Sequence, residues 1–301
     1  MAFGAFVRCD NGDTMNASRR TRFALLASLL VLVGPVSAQE PVRVHASVSA
    51  IAASDGNSQR REAILKSLSA LGVPTELQPF GEGARAGVNL VVTLPGRESP
   101  AILVGAHYDR VAVGQGAVDN AASCAVLLEL IAAFKASPLG RYTLQFVFFD
   151  QEELGLLGSR AHLATKTNRP AYAVNLDVFA YGEALFATSS KADGVLAGAL
   201  KAASDAQGIP ITMVPPNRFP GSDHQSMMAA GVETVGVALV DKADIEGVLA
   251  GPPSALVPGK GPRILTIIHT PADTLAEVRA EQMVRAIPVV EQMIRTIDRA
   301  N

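Results

Sequence analysis

Apolar and polar positions run along this chain in blocks whose period switches between that of a helix and that of a strand. Asn57 to Leu71 carries charges and leucines at helical spacing. Asn89 to Leu94 and Ala101 to Ala106 are apolar, β-rich runs separated by Pro95-Gly96, and they read as adjacent strands, a hairpin pair. Ala121 to Ala136 predicts a buried helix, Tyr142 to Phe149 a strand and Leu154 to Ala164 a short helix. Ala171 to Leu176 and Glu183 to Ala187 follow as strands, then Asp193 to Gln207 as a helix closed by Gly208-Ile209-Pro210. Thr234 to Leu239 and Ile264 to Ile268 read as strands. Glu281 to Arg299 is the closing amphipathic helix, in which Pro288 predicts a kink or a late start. The alternation predicts an α/β fold, three-layer αβα, with a mixed, mainly parallel sheet flanked by helices and an antiparallel edge.

The first forty residues stand outside this pattern. Arg19, Arg20 and Arg22 precede an apolar run from Ala24 to Val36, and Val36-Ser37-Ala38 fits a small-x-small cleavage site. Residues 1–38 therefore read as a signal peptide, with Met15 a candidate start, and the mature protein as exported, periplasmic or extracellular. As a membrane anchor the run is short of the roughly 20 residues that a spanning helix needs, so no stable membrane association is expected after cleavage. Residues 39–301 then make one domain. Within it, the Pro- and Gly-rich stretch Gly251 to Gly261 reads as a long active-site loop. A net charge of -2 offers no electrostatic case for nucleic acid. Trp is absent, so the core is aliphatic. Once Cys9 leaves with the leader, Cys124 has no internal disulfide partner, and its apolar surroundings make it a buried small hydrophobe.

Sites in such sheets form at the carboxyl ends of strands, and the polar anomalies of the chain fall there. Ala101–Ala106 runs into His107-Tyr108-Asp109, Tyr142–Phe149 into Asp150-Gln151-Glu152-Glu153, Ala171–Leu176 into Asp177, and Ile264–Ile268 into His269. Each has an ordinary explanation when taken alone. A histidine after a strand is more often structural, Glu152-Glu153 suits a helix N-terminus, and Asp177 can cap a turn. Together they carry more weight, because carboxylates gathered without matching Lys or Arg repel one another, and divalent cations remove that repulsion. Two histidines with three carboxylates and no thiolate suit zinc, with cobalt or manganese as substitutes. One ion would take His107, Asp177 and one oxygen of Asp119. A second would take Glu153, His269 and the other oxygen, a sharing that fits ions about 3.5–4 Å apart. Glu152 can then take the proton of an acidified water, and Asp109 can accept a hydrogen bond from the second ring nitrogen of His107.

Six segments occur in order: Gly105-Ala106-His107-Tyr108-Asp109, Gly116 to Ser123 around Asp119, Phe148 to Ser159 around Glu152-Glu153, Asn175-Leu176-Asp177, Ser222-Asp223-His224, and His269 to Thr274. In this combination they resemble metallopeptidase family 28, the di-zinc aminopeptidases related to glutamate carboxypeptidase and glutaminyl cyclase. The resemblance implies a zinc-peptidase-like fold and two zinc ions per chain. His107 and Asp177 would hold one ion, Glu153 and His269 the other, with Asp119 as bridge and Glu152 as base. It also implies a cis peptide bond between Asp119 and Asn120. The activity implied is that of an exopeptidase, an aminopeptidase acting on peptide substrates, with a preference for apolar N-terminal residues. Phe179, Phe219, Met227 and Met228 are the expected apolar lining, with Ser222 beside them. Val118 departs from the polar residue often found before the bridging Asp, but it is not a ligand. Phe219 stands near the place where some relatives carry a Tyr that stabilises the oxyanion, which leaves that task to the zinc ions or to Tyr181 or Ser222. His224 reads as supporting structure. Two alternatives stay open: a glutaminyl-peptide cyclotransferase, although the Trp that covers the substrate in cyclases has no counterpart here, and a non-catalytic homologue, although all five ligands and Glu152 are present.

Overall fold

The computed structural model describes residues 39–54, 56–164, 169–251, 257 and 259–300. The leader expected over residues 1–38 lies outside these, as does most of Gly251–Gly261. Two helices come first, α1 (Gln39–Ala52) and α2 (Asn57–Ala70), followed by strands β1 (Glu76–Phe80), β2 (Gly87–Leu94) and β3 (Glu98–His107). Then come α3 (Ala122–Ala136), β4 (Tyr142–Phe149), α4 (Leu157–Ala164), β5 (Tyr172–Phe179), β6 (Ala184–Ser189), α5 (Val195–Gln207) and β7 (Ile211–Val214). The chain continues through α6 (His224–Ala229), β8 (Glu233–Val240), α7 (Lys242–Ala250), α8 (Arg263–Ile267) and α9 (Ala280–Arg299).

The described strands form one eight-stranded mixed sheet in the order β1-β2-β4-β3-β5-β8-β6-β7. Its centre, β4-β3-β5-β8, is parallel. β2 joins β4 and β1 joins β2 antiparallel, while β6 runs antiparallel to β8 and β7 parallel to β6. Period-two alternation divides the apolar side chains between the faces. Leu90, Val92 and Val104 join the larger core, whereas Val91, Leu103 and Val147 join a smaller one with Met227 and Val232. Helices α1, α2, α3, α5 and α9 pack together against the large-core face, and α4 and α6 cover the other, which gives the αβα layering. The Ala117–Ala136 stretch that ends in α3 is long and apolar enough to cross a membrane, but 83% of its window is buried inside this fold.

Three expectations are corrected. β2 and β3 are not neighbours, because β4 lies between them. Their connection crosses the start of β4 so closely that a Cβ on Gly96 would lie 2.3 Å from the Tyr142 carbonyl, and the Gly96 N–H bonds Thr143 Oγ1 at 3.0 Å. Ile264–Ile268 is not a strand but the short helix α8. It buries Ile264, Leu265 and Ile267, a spacing no strand would give, and Asp244 Oδ1 accepts the Ile264 N–H at 3.0 Å. An apolar run of five residues does not by itself distinguish the two. Glu152-Glu153 precedes rather than begins a helix, since α4 starts at Leu157. In α9, Pro288 neither delays the start nor ends the helix. Helices α1, α6 and α7 and strands β1 and β7 were not among the expected elements; β1, for one, is exposed or half-exposed throughout, whereas α1 buries Val44, Val48 and Ile51 at helical spacing.

Candidate active site and metal centre

Every candidate metal-binding side chain sits where regular structure gives way. His107 ends β3, and the next residue, Tyr108, donates its N–H to the Phe149 carbonyl of β4 at 2.8 Å. Asp119 lies in the irregular turn Ala117–Ala121 with non-helical φ and ψ of -122° and 90°, and its peptide bond to Asn120 is cis. Asp177 falls in a register break of β5 between Leu176 and Phe179, the kind of bulge that re-aims a side chain. Gln151, Val178 and His269 adopt left-handed φ of 56°, 56° and 57°. Such conformations are uncommon outside glycine and tend to gather at functional sites.

The folded chain brings the five candidate ligands together. His107 Nε2 lies 3.2 Å from Asp119 Oδ1 and 3.6 Å from Asp177 Oδ1. His269 Nε2 lies 3.1 Å from Asp119 Oδ2 and 3.1 Å from Glu153 Oε2. Asp119 thus shows one oxygen to each histidine. His107-Asp119-Asp177 and Asp119-Glu153-His269 each gather their ligand atoms within 4.8 Å of one another, as does His107-Glu152-Glu153.

Charge at the cluster is unbalanced. Burial opposes protonation of His107, but Glu152, Asp109, Asp119 and Asp177 outweigh it and raise its pKa well above the ordinary value. Contacts with Asp119 and Glu153 push His269 up to about 10. Burial would raise Asp119, yet His107 and His269 hold it below the usual carboxylate range. Buried oxygens Asp119 Oδ1, Asp177 Oδ1 and Glu153 Oε1 have no hydrogen-bond partner among the described residues. If the His107 proton sits on Nδ1, facing Asp109 Oδ1 at 3.3 Å, then Nε2 and the carboxylate oxygens are acceptors facing acceptors. A divalent cation resolves that arrangement, and N/O donors of this kind suit zinc.

Supporting residues fix the ligands. Asp109 Oδ1 and Oδ2 accept the N–H groups of Glu152 and Glu153 at 3.0 and 3.1 Å. Asp109, expected among the catalytic residues, thereby ties the His107 segment to the Glu152-Glu153 turn. Asn120 donates to the Leu176 carbonyl at 3.1 Å and accepts the Val178 N–H at 3.2 Å, which holds the β5 bulge. Asp273 accepts the Val118 and Asp119 N–H groups at 2.7 and 3.2 Å. Its carboxylate aimed at backbone amides was not legible in the sequence, although it belongs to the His269 segment.

A pocket of about 300 Å³ opens beside the cluster. His107, Asp119, Glu152, Asp177 and His269 are part of its lining. Phe186, Phe219, Ala238, Val248, Ile264 and Ile268 contribute apolar lining, and Ser222 also lines the pocket. Phe219 and Ser222 thus stand where expected. Phe179 and Met227 do not, since both are fully buried elsewhere in the core. Met227 packs in the smaller core on the far face, because α6 turns it toward the sheet, and Met228 does not line the pocket either. Tyr181 is not part of the lining, and its hydroxyl donates to the lining residue Asp244 at 2.7 Å.

His224 is fully buried beside the Phe219 ring, at 5.4 Å between centroids, outside the candidate metal groups. Burial lowers its pKa to about 4, against about 6.5 for an exposed histidine. The unfolded chain therefore binds a proton that the folded chain refuses, so the stability from neutral His224 is complete above pH 6.5 and lost as pH falls toward 4. The contribution is of the order of 3 kcal/mol. Calorimetric melting temperatures should fall more steeply over that window in wild type than in His224→Gln. Parallel curves would refute the assignment.

The family model described as peptidase family M28 matches residues 89–294. Leupeptin-inactivating enzyme 1 of Streptomyces exfoliatus is 32% identical over 163 residues, which is 49% of this chain and 36% of that protein. This chain thus spans only about a third of that relative's length. Among solved structures, a zinc aminopeptidase from Bacillus subtilis superposes with a TM-score of 0.57 at 21% identity, covering 72% of this chain and 52% of that one. The glutaminyl cyclase of Fimbriiglobus ruber gives a TM-score of 0.66 at 20% identity, covering 87% of this chain and 96% of that one. These structural likenesses establish the α/β fold.

Proposed function

This chain belongs to peptidase family M28, and we propose that it is an exported, zinc-dependent aminopeptidase holding two ions and releasing apolar N-terminal residues from peptides. One observation carries the reading: Asp119 presents Oδ1 to His107 and Oδ2 to His269, at 3.2 and 3.1 Å, and a second carboxylate completes each set. His107, Asp177 and Asp119 would hold one ion, and Glu153, His269 and Asp119 the other. When bound, zinc supplies Lewis acidity, lowering the pKa of water and polarising a carbonyl.

The chain's own groups do the rest. Glu152 lines the pocket without belonging to either Asp119-centred set. Burial, opposed by His107 and reinforced by Asp177, Asp223 and Asp119, raises its pKa to about 9. At that pKa Glu152 is protonated at neutral pH in the metal-free chain; bound cations would lower it, and the carboxylate would then take a proton from the attacking water and return it to the leaving amine. The acidic residues of the lining would face the substrate's free amine, and its apolar residues would receive the first side chain.

Incubation with Leu-p-nitroanilide should release nitroaniline, a chelator should abolish the release and zinc should restore it. Asp- and Lys-p-nitroanilides should turn over more slowly, and a clear preference for either would overturn the apolar specificity. The near-complete coverage of the Fimbriiglobus ruber cyclase supports a second reading, glutaminyl cyclisation. Cyclised Gln-peptide without nitroaniline release would establish that reading instead. Export predicts a mature N-terminus at Gln39, read by N-terminal sequencing of the exported protein.

A further inference from the structure

Helix α2 lies upstream of the segment matched by the family model, yet one of its side chains reaches into the loops that carry the cluster. Arg60 is fully buried and among the largest side chains that are. Its guanidinium hydrogen-bonds three backbone carbonyls: Nε to Tyr108, Nη1 to Gln115 at 2.9 Å and Nη2 to Gly116 at 3.1 Å. None of the ion pairs among the described residues includes it. Burial pulls its pKa below the ordinary arginine value, but a guanidinium stays charged. A charge withdrawn from water persists only where strong acceptors replace that water, and here the acceptors come from two separate points of one loop.

Those two points flank the ligands. Tyr108 stands between His107 and Asp109. Gln115 and Gly116 lead directly into the turn bearing Asp119, and Gly116, at a φ of 58°, also accepts the Ala121 N–H at 3.1 Å. The same loop holds the His269 segment, for Gln115 donates its N–H to the Asp273 carbonyl at 2.6 Å and its Oε1 accepts the Leu275 N–H at 2.9 Å. A planar fork bridging carbonyls in this way sets the spacing between the His107 and Asp119 segments more rigidly than a single-point cation can.

We propose that Arg60 is a positioning residue of the metal centre, holding the Tyr108–Gly116 loop in ligand-binding form before any metal arrives. The proposal rests on the metal-site reading above. Without such a brace, the crowded carboxylates would push the loop segments apart.

Hydrogen exchange on chelator-treated protein tests it directly. In wild type, the amides of Gln115, Val118, Asp119 and Ala121 should stay protected without metal. In Arg60→Met they should exchange at least about tenfold faster while sheet amides keep their protection, because opening becomes local. Zinc affinity, read by competition with a chromophoric chelator, should fall about 10- to 100-fold in Arg60→Met, the usual effect of losing a group that orients ligands. Arg60→Lys should recover only part of it. Free exchange of these amides in metal-free wild type would overturn the proposal. So would Arg60→Met retaining both protection and zinc affinity, even with a lowered melting temperature. If Arg60→Met does not fold, the wild-type exchange and Arg60→Lys decide. A wild-type protein that binds no zinc would refute the functional reading, while the exchange comparison would still judge Arg60.

Discussion

Replacing Glu152 with Gln should leave the zinc content unchanged and lower kcat by about 10²- to 10⁴-fold, the range that a positioned acid–base group contributes. The substitution keeps shape and one carbonyl oxygen but removes the ability to take a proton. The geometry separates this role from ligation. Glu153 contacts His269 at 3.1 Å, whereas Glu152 is outside both sets that share Asp119. Its backbone N–H is fixed by Asp109, so the turn should stay in place in the variant. Because His107, Glu152 and Glu153 also approach within 4.8 Å, the metal count matters as much as the rate. Metal analysis showing zinc lost would make Glu152 a ligand, and undiminished turnover with zinc retained would remove it as the base.

Asp119→Asn should do broader damage. An amide has one acceptor oxygen and a nitrogen that donates, so one of the two histidines would face a donor where Asp119 now offers Oδ1 or Oδ2. Zinc should fall from two ions to one or fewer per chain, and kcat/KM by about 10³-fold or more. That magnitude follows from several kcal/mol of lost charge stabilisation at about 1.4 kcal/mol per decade of rate. The backbone clamp from Asp273 to Val118 and Asp119 does not involve the altered side chain, so the fold should persist. Elemental analysis of the folded variant checks this, and two retained ions with wild-type activity would refute the bridging role.

The two substitutions call on features that were unequally legible in the sequence. His107, the Glu152-Glu153 turn and Asp177 each interrupt an apolar strand, and a polar group after a run of β-formers stands out in any one segment. His269 was found for the wrong structural reason, since it leaves a single helical turn at a left-handed φ of 57° rather than the end of a strand. The pocket wall was half legible: Phe219 and Ser222 line it, Phe179 and Met227 do not. An apolar side chain near a motif is indistinguishable in sequence from one packed beneath it. Phe186, Ala238 and Val248 are far apart in the chain and meet at the pocket only through the order in which strands and helices are laid side by side.

The α/β alternation and the identity and order of the polar interruptions are local properties, and the sequence by itself determined them; the absence of Trp did not make the core aliphatic, since Phe134, Phe146, Phe148, Phe149 and Phe179 are fully buried. Periodicity records which face of an element is buried, whatever its neighbours. Tertiary structure alone decided which elements touch. It threaded β4 between β2 and β3 across the bare Gly96 backbone. It set Asp119 between two histidines that are 162 residues apart in the chain, and it carried Arg60 from an upstream helix into the loop that joins their segments. Such contacts depend on distances between segments that no period along the chain encodes.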